Sequence, residues 1–201
     1  MGQVLAIAPR SDTRRQALGT GPAVLAQIHQ DEVNLAVWQR DLPSAAALFV
    51  EHVLAQQAPL LEQAHIEVAN SAAMPSLAST FKHLPGHAAF VEDVTWLVEA
   101  YACLLGVSRV GLRLRTLDKP MCPRFHVDQV PVRLITTYQG PATQWLPGPE
   151  HSQAPEQMRA GDVALLKGER WVGNEGHGLA HRSPSASAEE RRLILTLDWL
   201  A

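Results

Sequence analysis

The sequence predicts an α+β chain in which N-terminal helices pack on a C-terminal β-sandwich or barrel. Three observations carry this prediction. Phe90, Val94, Leu97, Tyr101, Leu104 and Leu105 recur at three- and four-residue steps and stop at Gly106, the pattern of an amphipathic helix closed by glycine. Directly after it, Val110, Leu112 and Leu114 alternate with Arg109, Arg113 and Arg115, the period of a half-buried strand. From there to the C-terminus, short apolar runs are separated by Gly and Pro, which suits many short strands.

Taken in order, residues 1–25 are rich in Gly, Thr, Arg and Ala without a sustained period, and are expected to be flexible. Residues 26–201 then make a single domain, mainly helical over 26–106 and β over 107–201. Asn34 to Gln39 reads as a short strand. Ser44, after Pro43, can cap a helix that carries Ala46, Phe49, Val50, Val53 and Leu54 on one face. Pro59 to Pro85 reads as helix plus loop. Further strands are expected at Phe125 to Asp128, Val132 to Tyr138, Thr143 to Leu146, Asp162 to Leu166, Gly178 to His181 and Arg191 to Trp199.

Composition narrows the class. Of 201 residues 46% are hydrophobic and 18% charged, which places the chain among folded rather than disordered proteins. The net charge of −3 gives no basic patch for nucleic acid. No apolar run approaches the length of a membrane span. The opening MGQVLAIAPRSDTRR puts a short apolar patch before its arginines, the reverse of a secretory signal, so a cytoplasmic location is expected. Only two cysteines occur. Cys103 falls in the helical pattern and is expected in the core, so no disulfide framework is expected.

The chemistry lies in the second half. On an extended strand residues i and i+2 point the same way, so His126 and Asp128 can converge on one ion. His181, from a remote strand, can complete a set of two imidazoles and a carboxylate, the ligand set of non-haem Fe(II) oxygenases. Arg191 and Arg192 open the last strand, where a guanidinium could clamp a carboxylate through two bonds. Arg192 is favoured, because it shares strand parity with Ile194, Thr196 and Asp198, whereas Leu193, Leu195, Leu197 and Trp199 form an apolar face suited to packing. Cys122 precedes His126 by a spacing that zinc sites also use, and is a fourth candidate ligand. Each residue also has a plain reading: a surface pair for His126 and Asp128, a structural histidine for His181, a solvated strand start for the arginines, a small buried hydrophobe for Cys122. Lys167 and Trp145 have no role by spacing. The stretch from Gly168 to Gly178, with Trp171 and His177, could be a lid or a turn. No His-Glu-x-x-His, Cys-x-x-Cys, Gly-x-Ser-x-Gly or phosphate loop occurs.

The ordered set His126-x-Asp128, His181, Arg192 resembles the Fe(II)/2-oxoglutarate dioxygenases over roughly residues 108 to 199. The resemblance implies a double-stranded β-helix (a jelly-roll, cupin-like barrel), Fe(II) and 2-oxoglutarate as cofactors, and an arginine that binds the cosubstrate's distal carboxylate. The strings CPRFHVDQVPVRLITTYQGPATQWLP, GDVALLKGERW and GLAHRSP resemble a bacterial family, the domain of unknown function 1826. That second resemblance covers most of the chain, brings no activity with it, and implies a setting in zinc limitation with a zinc-handling GTPase as partner. Four readings therefore stay open: an Fe(II)/2-oxoglutarate oxygenase; a zinc-binding protein of metal homeostasis with Cys122 as fourth ligand; a hydrolase or isomerase using a metal-bound water; and a helical-plus-β interaction module with no site. The partner is expected to be a small-molecule or protein substrate, with no nucleic acid or membrane, and a homodimer is permitted.

Overall fold

A computed structural model describes residues 14–69, 77–147, 154–184 and 190–200. In chain order the elements are β1 (Arg15–Gly19), β2 (Val33–Trp38), α1 (Ser44–Ala55), β3 (Leu61–Glu67), α2 (His87–Leu105), β4 (Arg109–Leu117), β5 (Val132–Gln139), β6 (Gln144–Trp145), β7 (Glu156–Gln157), β8 (Val163–Lys167), β9 (His181–Arg182) and β10 (Arg192–Trp199). Seven strands form one sheet in the order β1-β2-β8-β5-β10-β4-β3, and three form a smaller sheet in the order β7-β6-β9. The result is the jelly-roll architecture expected for the second half, braced by helices.

The two-residue period of the strands sorts side chains into two layers. On β10, Leu193, Leu195 and Leu197 join the cluster that contains Phe49, Phe90, Leu97 and Tyr101 of the helices. Ile194 belongs to the second cluster, with Leu35, Val37, Ile135, Ala164 and Leu166 of the large sheet and Trp145 and Leu179 from the opposite side. The helices thus cover the outer face, and the inner face looks into the space between the sheets. The predicted apolar face of α1 is buried in full. Gly106 closes α2 in the left-handed conformation, at φ 65°, that glycine adopts without steric cost. No helix among the described residues is long and apolar enough to cross a membrane.

Several expectations are corrected. Residues 15–19, expected to be flexible, form β1 parallel to β2, and a 3-10 helix over Pro22–His29 links the two. Residues 1–13 lie outside the described residues. The helix expected between Pro59 and Pro85 is replaced over Leu61–Glu67 by β3, which pairs antiparallel with β4. LEQAHIE has no strongly apolar face to announce a strand, and the unfilled edge of β4 supplies the bonding partner. Residues 70–76, part of the expected helix plus loop, lie outside the described residues. Besides α1 and α2, residues 26–106 carry β2 and β3, and β1, β2 and β3 extend the sheet of the C-terminal half at both ends. Ser44 begins α1 without a side-chain cap bond, and Pro43 is the capping residue. Cys103 is exposed, since it falls on the face of α2 opposite Phe90, Val94 and Leu97. Trp199 is 39% exposed, beyond the packed part of β10.

Candidate metal centre

His126 and His181 are brought face to face by backbone pairing. Each donates its N–H to the other's carbonyl at 3.0 Å, as an isolated antiparallel bridge. Directly opposed residues in such a pair put their side chains on one face, and the ring centroids are 4.6 Å apart. Asp128 follows two residues after His126. Its backbone is held by Glu169, whose N–H donates to the Asp128 carbonyl at 3.0 Å. This requires Gly168, because a Cβ there would lie 2.5 Å from the Asp128 carbonyl oxygen and 2.2 Å from that of Val130.

One ligand atom from each of His126, Asp128 and His181 lies within 4.8 Å of the other two. His181 Nε2 is 3.4 Å from Asp128 Oδ2, and His126 Nε2 is 4.0 Å from Asp128 Oδ1. Neighbouring ligands at bond lengths of about 2.1 Å stand about 3 Å apart, so modest side-chain rotations close the difference. The tautomers suit this. His126 Nδ1 lies 3.0 Å from the Arg124 carbonyl and His181 Nδ1 3.1 Å from that of Leu179. A carbonyl only accepts, so both Nδ1 atoms carry hydrogen and both Nε2 atoms offer lone pairs. Asp128 Oδ2 is buried and has no hydrogen-bond partner. Burial, the largest influence, holds the His181 pKa below the ordinary imidazole value against the opposing pull of the Asp128 carboxylate, which favours the neutral, ligating form. A buried carboxylate oxygen facing two imidazole lone pairs without a proton donor is a donor set that fits a divalent transition metal.

Arg133 holds this arrangement, and sequence reasoning missed it. Its Nη1 donates to Asp128 Oδ1 at 2.7 Å, while Nε and Nη2 donate to Asp198 at 2.7 and 2.9 Å. Arg113 adds a bond to Asp198 at 3.2 Å. A signal for Arg133 existed: it shares strand parity with Ile135, so a cation was being placed on a face that must be buried. Arg133→Met is expected to weaken metal binding by about 10–100-fold, because a partner that orients a ligand carries that much affinity. Metal titration of the purified variant checks this.

Arg192 is 1% exposed at the start of β10, on the inner face as predicted. Its Nη1 donates to the Pro141 carbonyl at 3.1 Å and its Nη2 to Ser183 Oγ at 3.3 Å, with no protein carboxylate among these partners. Desolvation lowers its pKa. Arg191 points the other way. It donates to the carbonyls of Leu54 and Ala58 at 2.8 and 3.2 Å, so it caps the C-terminal end of α1 and is removed from the candidate cofactor residues. Cys122 is outside the ligand group as well. Its carbonyl accepts from the Ser183 N–H at 2.9 Å and so ties the segment before His126 to the residue just after β9. Cys122→Ala is expected to leave the metal content unchanged, read by elemental analysis.

The remaining candidates have structural roles. Lys167 is buried, donates to the Gln30 carbonyl at 2.7 Å and lies over the Trp171 ring; desolvation lowers its pKa to about 8. The stretch between Gly168 and Gly178 is a turn pinned by buried Asn174. His177 lines a cavity of about 260 Å³ beside His126, with Phe125, Val127, Leu146 and Glu169. Trp145 stands directly opposite His181 across β6 and β9. It is 3% exposed, and its indole N–H has no partner. His151 lies outside the described residues.

Comparison with known proteins fits this architecture. The rice dioxygenase for auxin oxidation superposes with a TM-score of 0.52 at 14% identity, covering 94% of this chain and 83% of its own. The Arabidopsis thaliana dioxygenase for auxin oxidation 1, solved as a binary complex with 2-oxoglutarate, gives 0.55 at 11% identity, covering 94% and 93%. At these identities the likeness shows the fold alone: the jelly roll of the 2-oxoglutarate oxygenases. No curated protein sequence matches the chain. A sequence family does match it, over residues 19–198, and the chain therefore belongs to the family described as "Protein of unknown function (DUF1826)".

Proposed function

We propose that this protein is an Fe(II)/2-oxoglutarate-dependent oxygenase whose metal is held by His126, Asp128 and His181 and whose cosubstrate carboxylate is clamped by Arg192. The observation that carries the proposal is the buried, unpartnered Asp128 Oδ2 at 3.4 Å from His181 Nε2, with both imidazoles already turned by backbone carbonyls to present Nε2. Three protein ligands on one side leave positions for exchangeable ligands. The zinc-binding alternative took Cys122 as a fourth ligand, and Cys122 is not in the group.

The bound metal would supply oxidation by dioxygen. This chain's residues supply the rest. Ser183 stands just past β9, two residues after His181, a spacing of about 6.6 Å along an extended chain. Ser183 Oγ takes an Arg192 bond. The metal ligand and the arginine clamp are therefore separated by roughly the span of a short dicarboxylate. Arg192 is a buried cation without an anionic partner among the described residues, so a carboxylate there relieves a desolvation cost that the protein otherwise bears. The Leu35, Ile135 and Leu166 side chains keep water from the inner wall.

The test is binding and turnover. Anaerobic, metal-loaded protein is expected to bind 2-oxoglutarate in the micromolar to millimolar range. With dioxygen it is expected to release succinate slowly even without its prime substrate. Arg192→Met is expected to weaken 2-oxoglutarate binding by about 100-fold, since a charge-assisted bidentate clamp is worth a few kcal/mol. Absence of binding at millimolar concentration overturns the proposal, and elemental analysis of protein purified without added metal identifies the metal.

A further inference from the structure

We infer that Arg115 anchors a carboxylate of the substrate oxidised at this centre, a reading that rests on the function proposed above. Arg115 stands on the inner face of β4, opposite Ile194 on β10 and Leu61 on β3. Its Nε is buried and has no hydrogen-bond partner. Its Nη1 reaches only the thioether of Met121, a weak acceptor, at 3.5 Å. The Nε–H and Nη2–H bonds of a guanidinium form a planar two-donor edge that matches the two oxygens of a carboxylate. Arg133, on the same sheet face, shows that edge satisfied: its Nε and Nη2 take the two oxygens of Asp198. The equivalent edge of Arg115 meets no carboxylate among the described residues.

Charge on this face points the same way. Arg113, Arg115, Arg133 and Arg192 all lie on it, against the buried carboxylates Asp128 and Asp198. Asp198 is shared by Arg113 and Arg133, and Asp128 is held by Arg133 and faces the two imidazoles. A dicarboxylate cosubstrate spanning the metal and Arg192 still leaves Arg115 unmatched. Position favours a substrate over a second structural acid. Arg115 is half-buried, and its neighbour Met121, 47% exposed, begins the segment that runs to His126. A carboxylate on Arg115 would therefore sit at the rim of the inner face, within reach of solvent. The substrate class is a small organic acid, or an acidic side chain, with the oxidised carbon placed inward of its carboxylate.

The experiment uses full-length protein loaded with redox-inert Zn(II) and saturated with 2-oxoglutarate. The arginine Nε–H resonances are followed by nitrogen-15 NMR, and the Arg115 signal is identified by its loss in Arg115→Lys. Acetate and inorganic phosphate are the probes. Acetate is expected to move the Arg115 signal saturably at millimolar concentration. Acetate affinity, read from the signals of neighbouring residues, should fall at least about tenfold in Arg115→Met, which keeps the length and loses the donors. An Arg115 signal that acetate does not move overturns the inference. So does a signal moved by phosphate alone. A signal moved by 2-oxoglutarate itself, before acetate is added, also overturns it, because Arg115 would then belong to the cosubstrate site. Failure of 2-oxoglutarate to bind, seen at the Arg192 signal, defeats the proposed function instead, and is read independently of the acetate titration.

Discussion

Asp128→Ala is expected to strip the centre of its metal, lowering affinity by more than about 100-fold, beyond the usual effect of changing a residue that merely supports a ligand. Asp128 is the only anionic member of the ligand group. Without it, two neutral imidazoles remain to hold a doubly charged ion. The fold should survive. Arg133 loses its 2.7 Å bond to Asp128 but keeps both bonds to Asp198, so a loss of stability of about 1–3 kcal/mol is expected. Elemental analysis of wild type, Asp128→Ala and His126→Ala, purified alike without added metal, checks the first point. Thermal unfolding of metal-free samples checks the second. About one transition metal per wild-type chain, lost in both variants, is the expected outcome. Retention in Asp128→Ala would remove the basis for the proposed function.

The largest effect on stability is expected far from the metal. Asp93, on α2, accepts two bonds from Arg40 at 2.6 and 2.9 Å and one from the Tyr138 hydroxyl at 2.7 Å. The Arg40 and Asp93 side chains are only 7% and 6% exposed. Arg40 also donates to the Gly161 carbonyl at 3.0 Å, so one cluster joins the segment after β2, α2, β5 and the turn before β8. Burial raises the Tyr138 pKa first, and the neighbouring Asp93 charge raises it further, so the phenol stays a donor throughout the neutral range. Asp93→Ala leaves the Arg40 cation buried without its partner, at a cost of about 3–5 kcal/mol. For a chain of this size that lowers the melting temperature by roughly 6–20 °C. Tyr138→Phe, which removes one bond and no charge, should cost about 1 kcal/mol. A change below that in Asp93→Ala would show that the cluster contributes little to folding. Metal content should be unaffected by either, because the cluster lies on the helix-covered side of the sheet.

The centre was legible in the sequence because its logic is local. Extended-chain parity predicts that His126 and Asp128 meet, and they do, although of the expected Phe125–Asp128 strand only the isolated bridge at His126 forms; Arg192 sits with Ile194 and Thr196 by the parity of β10. The periods of 2 and 3.6 likewise exposed the packing faces of α1, α2 and β10. What stayed hidden depended on contacts between remote segments. Arg133 reads as one more cation on a strand until Asp198, 65 residues away, is set beside it. Arg191 and Arg192 are adjacent and alike, yet one caps a helix and the other is buried between the sheets. Cys122 has a plausible zinc spacing, but the chain turns its carbonyl to β9 and leaves its thiol out of the ligand group. LEQAHIE becomes a strand because β4 had an edge to fill.

The sequence alone determined the α+β class, the inner and outer faces of its regular elements and the three residues able to meet around an ion, since each follows from how side chains alternate along a backbone. Only the tertiary structure decided what Arg191 caps, which residue steadies Asp128 and where β1 and β3 attach. Those outcomes depend on satisfying buried charges and backbone hydrogen bonds with partners distant in the chain, and no local period records where such partners will be.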